Sequence, residues 1–68
     1  MEHDSLMARY RRTERYWVSS QAFAVEVDVE GGIIVFTAPV LRRFIGQPFQ
    51  NLQRWMKGFR DVVIEPLD

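Results

Sequence analysis

Few side chains in this sequence could carry out nucleophilic or acid–base chemistry. The 68 residues include one histidine, His3, and no cysteine. His3 lies close to the N-terminus, whereas a catalytic or metal-binding imidazole needs neighbours that fix its orientation. Ser19 and Ser20 have no base near them in the sequence, so turn formation explains them. The sequence therefore predicts a protein that is not an enzyme and that binds no cofactor.

Three acidic residues, Glu26, Asp28 and Glu30, alternate along one predicted strand. Neighbours on one strand face are about 7 Å apart, so two of these carboxylates could flank a hard cation. The same alternation is typical of a solvent-exposed strand face, and charge on an edge strand opposes pairing with other chains. We therefore expect no metal site. The following Gly31-Gly32 lacks the lysine and further glycine of a phosphate loop, so it predicts a hairpin turn.

Basic residues form two clusters. The N-terminal cluster comprises Arg9, Arg11, Arg12 and Arg15. The second comprises Arg42, Arg43, Arg54 and Lys57, followed by Arg60. With Gln50, Asn51 and Gln53 beside it, the second cluster could contact the phosphates or base edges of a nucleic acid. The alternative is a solvated helix face, whose arginines complement the helix dipole.

Aromatic side chains are numerous for so small a domain: two Trp, two Tyr and five Phe. Trp55 fits an apolar helical stripe and is predicted to lie in the core. Trp17 and its neighbour Tyr16 are predicted to form an interface with a partner protein, together with Ile33 and Val35. The excess of aromatic residues indicates a homo-oligomer, with a dimer as the simplest form.

Length and charge limit the remaining possibilities. Sixty-eight residues can hold one domain, and nine basic and nine acidic side chains cancel. Net neutrality removes the global electrostatic argument for a nucleic-acid or membrane partner, although a local patch could still bind one. The longest apolar run, residues 33–36, is far shorter than a bilayer span, and the N-terminus lacks the apolar stretch of a signal peptide. We expect a cytoplasmic protein.

The elements that position these residues follow from the apolar periodicity. Residues 1–15 are predicted to form a basic helix, with Asp4 or Ser5 as its cap, or a flexible arm; residues 16–68 form the folded domain. A short strand at residues 16–18 precedes a strand at 23–30, whose apolar and acidic residues alternate. A second run, 33–37, completes a hairpin. Its predicted pairs are Glu30 with Ile33, Val29 with Ile34, Asp28 with Val35, and Val27 with Phe36.

This register divides the hairpin into two faces. One face carries Phe23, Val25, Val27, Val29, Ile34 and Phe36. The other carries Glu26, Asp28, Glu30, Ile33, Val35 and Thr37. Because the second face mixes acidic with exposed β-branched residues, we expect the arginine-rich N-terminal segment or a second subunit to cover part of it.

Two helices and a strand are predicted after the hairpin. Thr37 caps a helix that has Pro39 in its first turn and ends at Gly46. A second helix carries Phe49, Leu52 and Trp55 on its apolar face and ends at Gly58. Residues 62–64 form a last strand before Pro66, which suits a sheet edge. The fold class is α+β: a small antiparallel sheet of three to four strands against one or two helices, in the order (α)-β-β-β-α-α-β.

The segments VEVDVEGGIIVFTAP, VLRRFIGQPFQNLQRWM and VVIEPL resemble a group of small proteins in phages, prophages and other mobile elements that share a "TAP…FIGQP…NL…W" core. The resemblance covers about residues 17–67 and carries no function with it. It implies a setting in which small proteins bind and block or modify a larger partner. We expect a non-catalytic protein-binding module, an inhibitor or adaptor, with a nucleic-acid-binding accessory protein as the alternative.

Overall fold

The computed structural model describes residues 13–67. The elements are β1 (Glu14–Ser19), β2 (Ala24–Glu30), β3 (Ile33–Thr37), a 3₁₀ helix (Pro39–Phe44), α1 (Phe49–Met56) and β4 (Val63–Pro66). This confirms the predicted α+β class. Strand β1 begins at Glu14, two residues before the predicted start of the folded domain. The predicted N-terminal helix with its Asp4 or Ser5 cap, and Arg9, Arg11 and Arg12, lie outside the described residues.

The four strands form one antiparallel sheet in the order β3-β2-β1-β4. After β3, at one edge, the chain passes through the 3₁₀ helix and α1 on one side of the sheet and returns as β4 at the other edge. Strand β4 pairs with β1, with Trp17 opposite Glu65 and Val18 opposite Ile64. Pro66 thus lies in an edge strand, as predicted.

The hairpin turns at Gly31 and Gly32, as predicted. Their φ angles are +58° and +82°, in the left-handed region that side chains disfavour and glycine tolerates. On either side of the turn Glu30 pairs with Ile33, and Val29 pairs with Ile34. The predicted register therefore holds for the first two pairs.

Beyond those pairs the register shifts by one residue, so two predicted pairs are wrong. Asp28 lies opposite Phe36, and Val27 lies opposite Thr37. Val35 is the extra residue of a β-bulge, which reverses the side of the sheet to which later side chains point. Phe36, predicted on the apolar face, is 63% exposed, and Thr37, predicted on the polar face, is buried.

Thr37 consequently does not cap the following helix. Its buried hydroxyl donates a hydrogen bond to the Glu26 carbonyl oxygen at 3.2 Å. The residue before the helix is Ala38, which makes no side-chain capping bond. The helix itself is of the 3₁₀ type, not α-helical. Its predicted end is confirmed, since Gly46 has a φ of +90°.

A single core lies between the sheet and the helix layer. The sheet contributes buried valines and Ile34, whereas the helix side contributes Leu41, Phe44, Phe49, Leu52 and Met56. The loop that enters α1 also closes part of the outer edge of β3. Ile34 donates its backbone N–H to Gln47 O at 2.9 Å and accepts from Gly46 N at 2.7 Å.

Candidate interaction surfaces

The helices pack on one side of the sheet, and the other side forms a surface that we call the open face. Successive residues of a strand point to opposite sides, so the pairing registers identify its members. They are Arg15, Trp17, Ser19, Ala24, Glu26, Asp28, Glu30, Ile33, Phe36, Val63 and Glu65. Val35, the extra residue of the bulge, is exposed beside Phe36.

Trp17 lies at the middle of the open face. Its partners on the neighbouring strands are Glu26 of β2 and Glu65 of β4, so an acidic residue is paired with Trp17 on each side. Tyr16 was predicted to form a partner interface together with Trp17, but its side chain points to the other side of the sheet. Its ring stacks on Phe49 of α1, with 4.6 Å between the ring centroids. Tyr16 therefore does not share a surface with Trp17.

Most of the exposed apolar side chains of the open face lie on β3, and Val63 of β4 is a further one. Ile33 is 37% exposed and Val35 is 40% exposed, and both were predicted as interface residues. Phe36 beside them is more exposed than either, and sequence reasoning missed it because the bulge leaves no signature among β-forming residues. Glu65 was also missed, since nothing in the sequence indicates which strand β4 joins.

Four carboxylates face one guanidinium among the described residues of the open face. Arg15 Nε lies 3.0 Å from Asp28 Oδ1 and 3.9 Å from Glu26 Oε1. Arg15, which belongs to the predicted N-terminal segment, therefore forms ion pairs with two of the four carboxylates of the open face. Thr13 Oγ1 donates to Glu30 Oε2 at 2.7 Å. Within residues 13–67, no three acidic or histidine side chains come together in a way that could hold a metal ion.

The exposed side of α1 is basic. Gln50, Gln53, Arg54 and Lys57 line a shallow depression of about 350 Å³. These residues lie along one helical stripe, and the opposite stripe of α1 buries Phe49, Leu52 and Met56. The depression therefore faces away from the sheet.

Arg43 connects the 3₁₀ helix to α1. Its guanidinium carbon lies 4.6 Å from the centroid of the Trp55 ring and 5.1 Å from that of Phe44. Both distances are within the range of a cation–π interaction. Trp55 packs against the core, as predicted, and its ring also lies 4.7 Å from that of Phe59. Arg42 is exposed on the 3₁₀ helix. We call Arg42, Arg43, Arg54 and Lys57 the basic face.

The charges of this neutral chain are segregated along its sequence. Residues 31–60 contain five basic side chains and no acidic one. The fold places most of these residues in the helix layer, whereas the acidic residues of β2 and β4 lie on the open face. Within residues 13–67, the carboxylates of the open face and the cations of the helix layer therefore lie on opposite sides of the sheet.

Comparisons with models of protein families, with curated proteins and with solved structures find no match for this chain. Among residues 13–67, no helix has the length and apolar character that crossing a bilayer requires.

Proposed function

We propose that this chain is a non-catalytic protein-binding module that acts in the cytoplasm as an inhibitor or adaptor and holds its partner on the open face. The observation that supports the proposal is the row of exposed apolar side chains on β3, Ile33, Val35 and Phe36, on the same side of the sheet as Trp17. Grouped exposed apolar residues with an aromatic anchor are typical of protein contact surfaces.

The strand that carries these residues is held in place from both sides. Strand β3 pairs with β2, and Ile34 is also hydrogen-bonded to Gly46 and Gln47 on its outer edge. A surface fixed before binding loses little conformational entropy when a partner docks. The open face thus has the rigidity that a specific contact surface needs.

The proposal is tested with a variant that combines Trp17→Ala, Ile33→Ala and Val35→Ala. The matched control combines Val40→Ala and Ile45→Ala, which truncate apolar side chains that are exposed outside the open face. A protein captured with the wild-type chain from its own cells is purified, and its binary affinity is measured by calorimetry. We expect the open-face variant to bind at least about tenfold more weakly and the control to bind as the wild type does. Equal affinities for a variant with a native circular dichroism spectrum would overturn the proposal.

A second function is supported by a separate observation, the absence of acidic residues from residues 31–60 together with the position of Arg54 and Lys57 in one depression. On this alternative the chain is a nucleic-acid-binding accessory protein that contacts phosphates with the basic face. Gln50 and Gln53 beside the two cations would add hydrogen bonds to sugar or base edges.

Fluorescence anisotropy with a mixed-sequence DNA fragment tests the alternative. Affinity should fall linearly with the logarithm of salt concentration, and Arg54→Gln with Lys57→Gln should lower the slope by about 2, one per lost phosphate contact. Glu65→Gln on the open face is the matched control and should leave the slope unchanged. Absence of binding at low salt would exclude this function.

A further inference from the structure

We propose that the open face binds the basic face of a second copy of this chain, so that the molecules associate head to tail. The inference rests on the proposed function, because it names a partner for the same surface. It starts from charge complementarity. The open face carries Glu26, Asp28, Glu30 and Glu65, and the basic face carries four cationic side chains with no acidic residue in the intervening sequence.

The two faces cannot neutralise each other within one molecule. The core separates them, since α1 buries Phe49, Leu52 and Met56 toward the sheet and turns Arg54 and Lys57 outward. Only contact between molecules can bring the cations of the basic face to the carboxylates of the open face. Such a contact joins two different patches, so it is heterologous and leaves one free face at each end.

A symmetric dimer through two open faces is disfavoured by the same charges. A two-fold axis would bring Glu26 and Glu65 of one copy close to the acidic residues of the other. Among the described residues, four carboxylates and one guanidinium, that of Arg15, lie on each open face, so carboxylates would outnumber cations in such a contact, which is unfavourable. The apolar residues of the open face therefore need a partner surface that is basic.

The surroundings of Trp17 fit a cationic side chain. An indole face attracts guanidinium and ammonium groups, and carboxylates on both sides can accept their hydrogen bonds. The chain already contains such a pair, because the Arg43 guanidinium lies over Trp55. Arg54 and Lys57, three residues apart on one stripe of α1, present two cations together. We assign this pair to the site formed by Trp17, Glu26 and Glu65 of the next copy.

Complementary charge reversals test the contact. The first variant carries Glu26→Lys and Glu65→Lys, which reverses the open face. The second carries Arg54→Glu and Lys57→Glu, which reverses the basic face. Sedimentation velocity is measured over a range of protein concentrations at low and high salt.

For the wild type we expect a sedimentation coefficient that rises with concentration and falls when salt screens the charges. Each variant alone should associate roughly a hundredfold more weakly, because like charges then meet at the contact. Mixed together, the two variants should associate again, since the basic face of the first meets the acidic open face of the second, and the reversed open face of the first meets the reversed basic face of the second.

Three results would overturn the inference. They are a wild type that stays monomeric at all concentrations, a second variant that still self-associates, and a mixture of folded variants that forms no heterodimer. The first result would leave the protein-binding function intact, because that function is tested with a purified partner. If a reversal prevents folding, Glu26→Gln with Glu65→Gln and Arg54→Gln with Lys57→Gln replace the two variants. Each should self-associate more weakly than the wild type, and their mixture should form a heterodimer through the unaltered basic face of the first and the unaltered open face of the second.

Discussion

The Tyr16 hydroxyl lies in surroundings that oppose its ionisation. Partial burial against Phe49 raises the pKa of the phenol above its ordinary value of 10.0, and the nearby Glu14 carboxylate raises it further through its charge and a hydrogen bond. The folded chain thus holds the phenolic proton more tightly than the unfolded chain does. The free energy of unfolding should fall as the pH rises past 10.

Absorbance titration of a Tyr10→Phe variant measures this effect, because the sequence has two tyrosines and Tyr16 is then the only one. We expect the phenol to ionise above pH 10 in the folded protein. Glu14→Gln should lower the pKa without restoring the ordinary value, since burial remains. An unshifted titration in the folded protein would contradict the placement of Tyr16 against Phe49.

Two glycines at the ends of the helices differ in their backbone conformation. Gly46 has a φ of +90° and nothing within 4 Å of an added Cβ, so an alanine there would suffer backbone strain alone. We expect Gly46→Ala to lower the free energy of unfolding by about 1–2 kcal/mol. Urea denaturation followed by circular dichroism measures the change.

Gly58→Ala is the matched control. Gly58 has no positive φ, and an added Cβ would meet only Trp55 O at 3.9 Å. Alanine there should be neutral or should stabilise the protein by up to about 1 kcal/mol, because it restricts the unfolded chain. Equal losses at both positions would show that the left-handed conformation of Gly46 is not the cause.

For single residues, the sequence predicted the local backbone conformation better than it predicted which residues lie side by side in the fold. The Gly31-Gly32 turn and the end of the 3₁₀ helix at Gly46 follow from the freedom of glycine to adopt positive φ, which is a local property. Tyr16 was grouped with Trp17, although strand alternation separates adjacent residues. Glu65 lies beside Trp17 through a long-range strand pairing, which no local pattern encodes.

The β-bulge determines which residues of β3 face the core. It turns Phe36 outward and Thr37 inward, where the Thr37 hydroxyl bonds to Glu26 O. We expect Thr37→Val, which keeps the shape and removes the donor, to lower the free energy of unfolding by about 1 kcal/mol. Chemical denaturation measures it.

Thr13→Val is the control for that substitution, because Thr13 also donates a side-chain hydrogen bond, to Glu30, at an exposed position. A surface change of this kind should stay within about 0.5 kcal/mol. If the two variants lose equal stability, the buried hydrogen bond of Thr37 contributes nothing beyond an exposed one.

The strands and helices were predictable because alternation and helical stripes are strong signals over several residues. The bulge was not, since Val35 and Phe36 both favour a strand and no glycine marks the extra residue. The same shift explains why the prediction that Thr37 caps the helix was wrong. The side chain of Thr37 is buried in the core, and its hydroxyl donates to the Glu26 carbonyl oxygen of β2. Apolar patterning at residues 40–45 predicted a helix but does not distinguish a 3₁₀ from an α geometry.

The whole molecule depends on one small core. Leu52 is fully buried and lies among the residues that join α1 to the sheet. No disulfide can compensate for lost packing, because the chain has no cysteine. We expect Leu52→Ala to cost about 2–5 kcal/mol, a large part of the stability of a domain this size.

Thermal and urea denaturation of Leu52→Ala, compared with Gln53→Ala on the exposed side of the same helix, test this expectation. The Gln53 variant should differ from the wild type by no more than about 0.5 kcal/mol. If the Leu52 variant were as stable as the Gln53 variant, packing of α1 against the sheet would not contribute measurably to the free energy of unfolding.

The opposite charges of the two sides also affect how this neutral protein behaves at a solid support. Net charge predicts weak retention on any ion-exchange column at pH 7. An immobilised ion, however, interacts with whichever surface is nearest and not with the sum over the molecule. An anion-exchange resin, which is positively charged, can bind the carboxylates of the open face. A cation-exchange resin, which is negatively charged, can bind the arginines and the lysine of the basic face. The same sample should be retained by both columns in low-salt buffer, in opposite orientations.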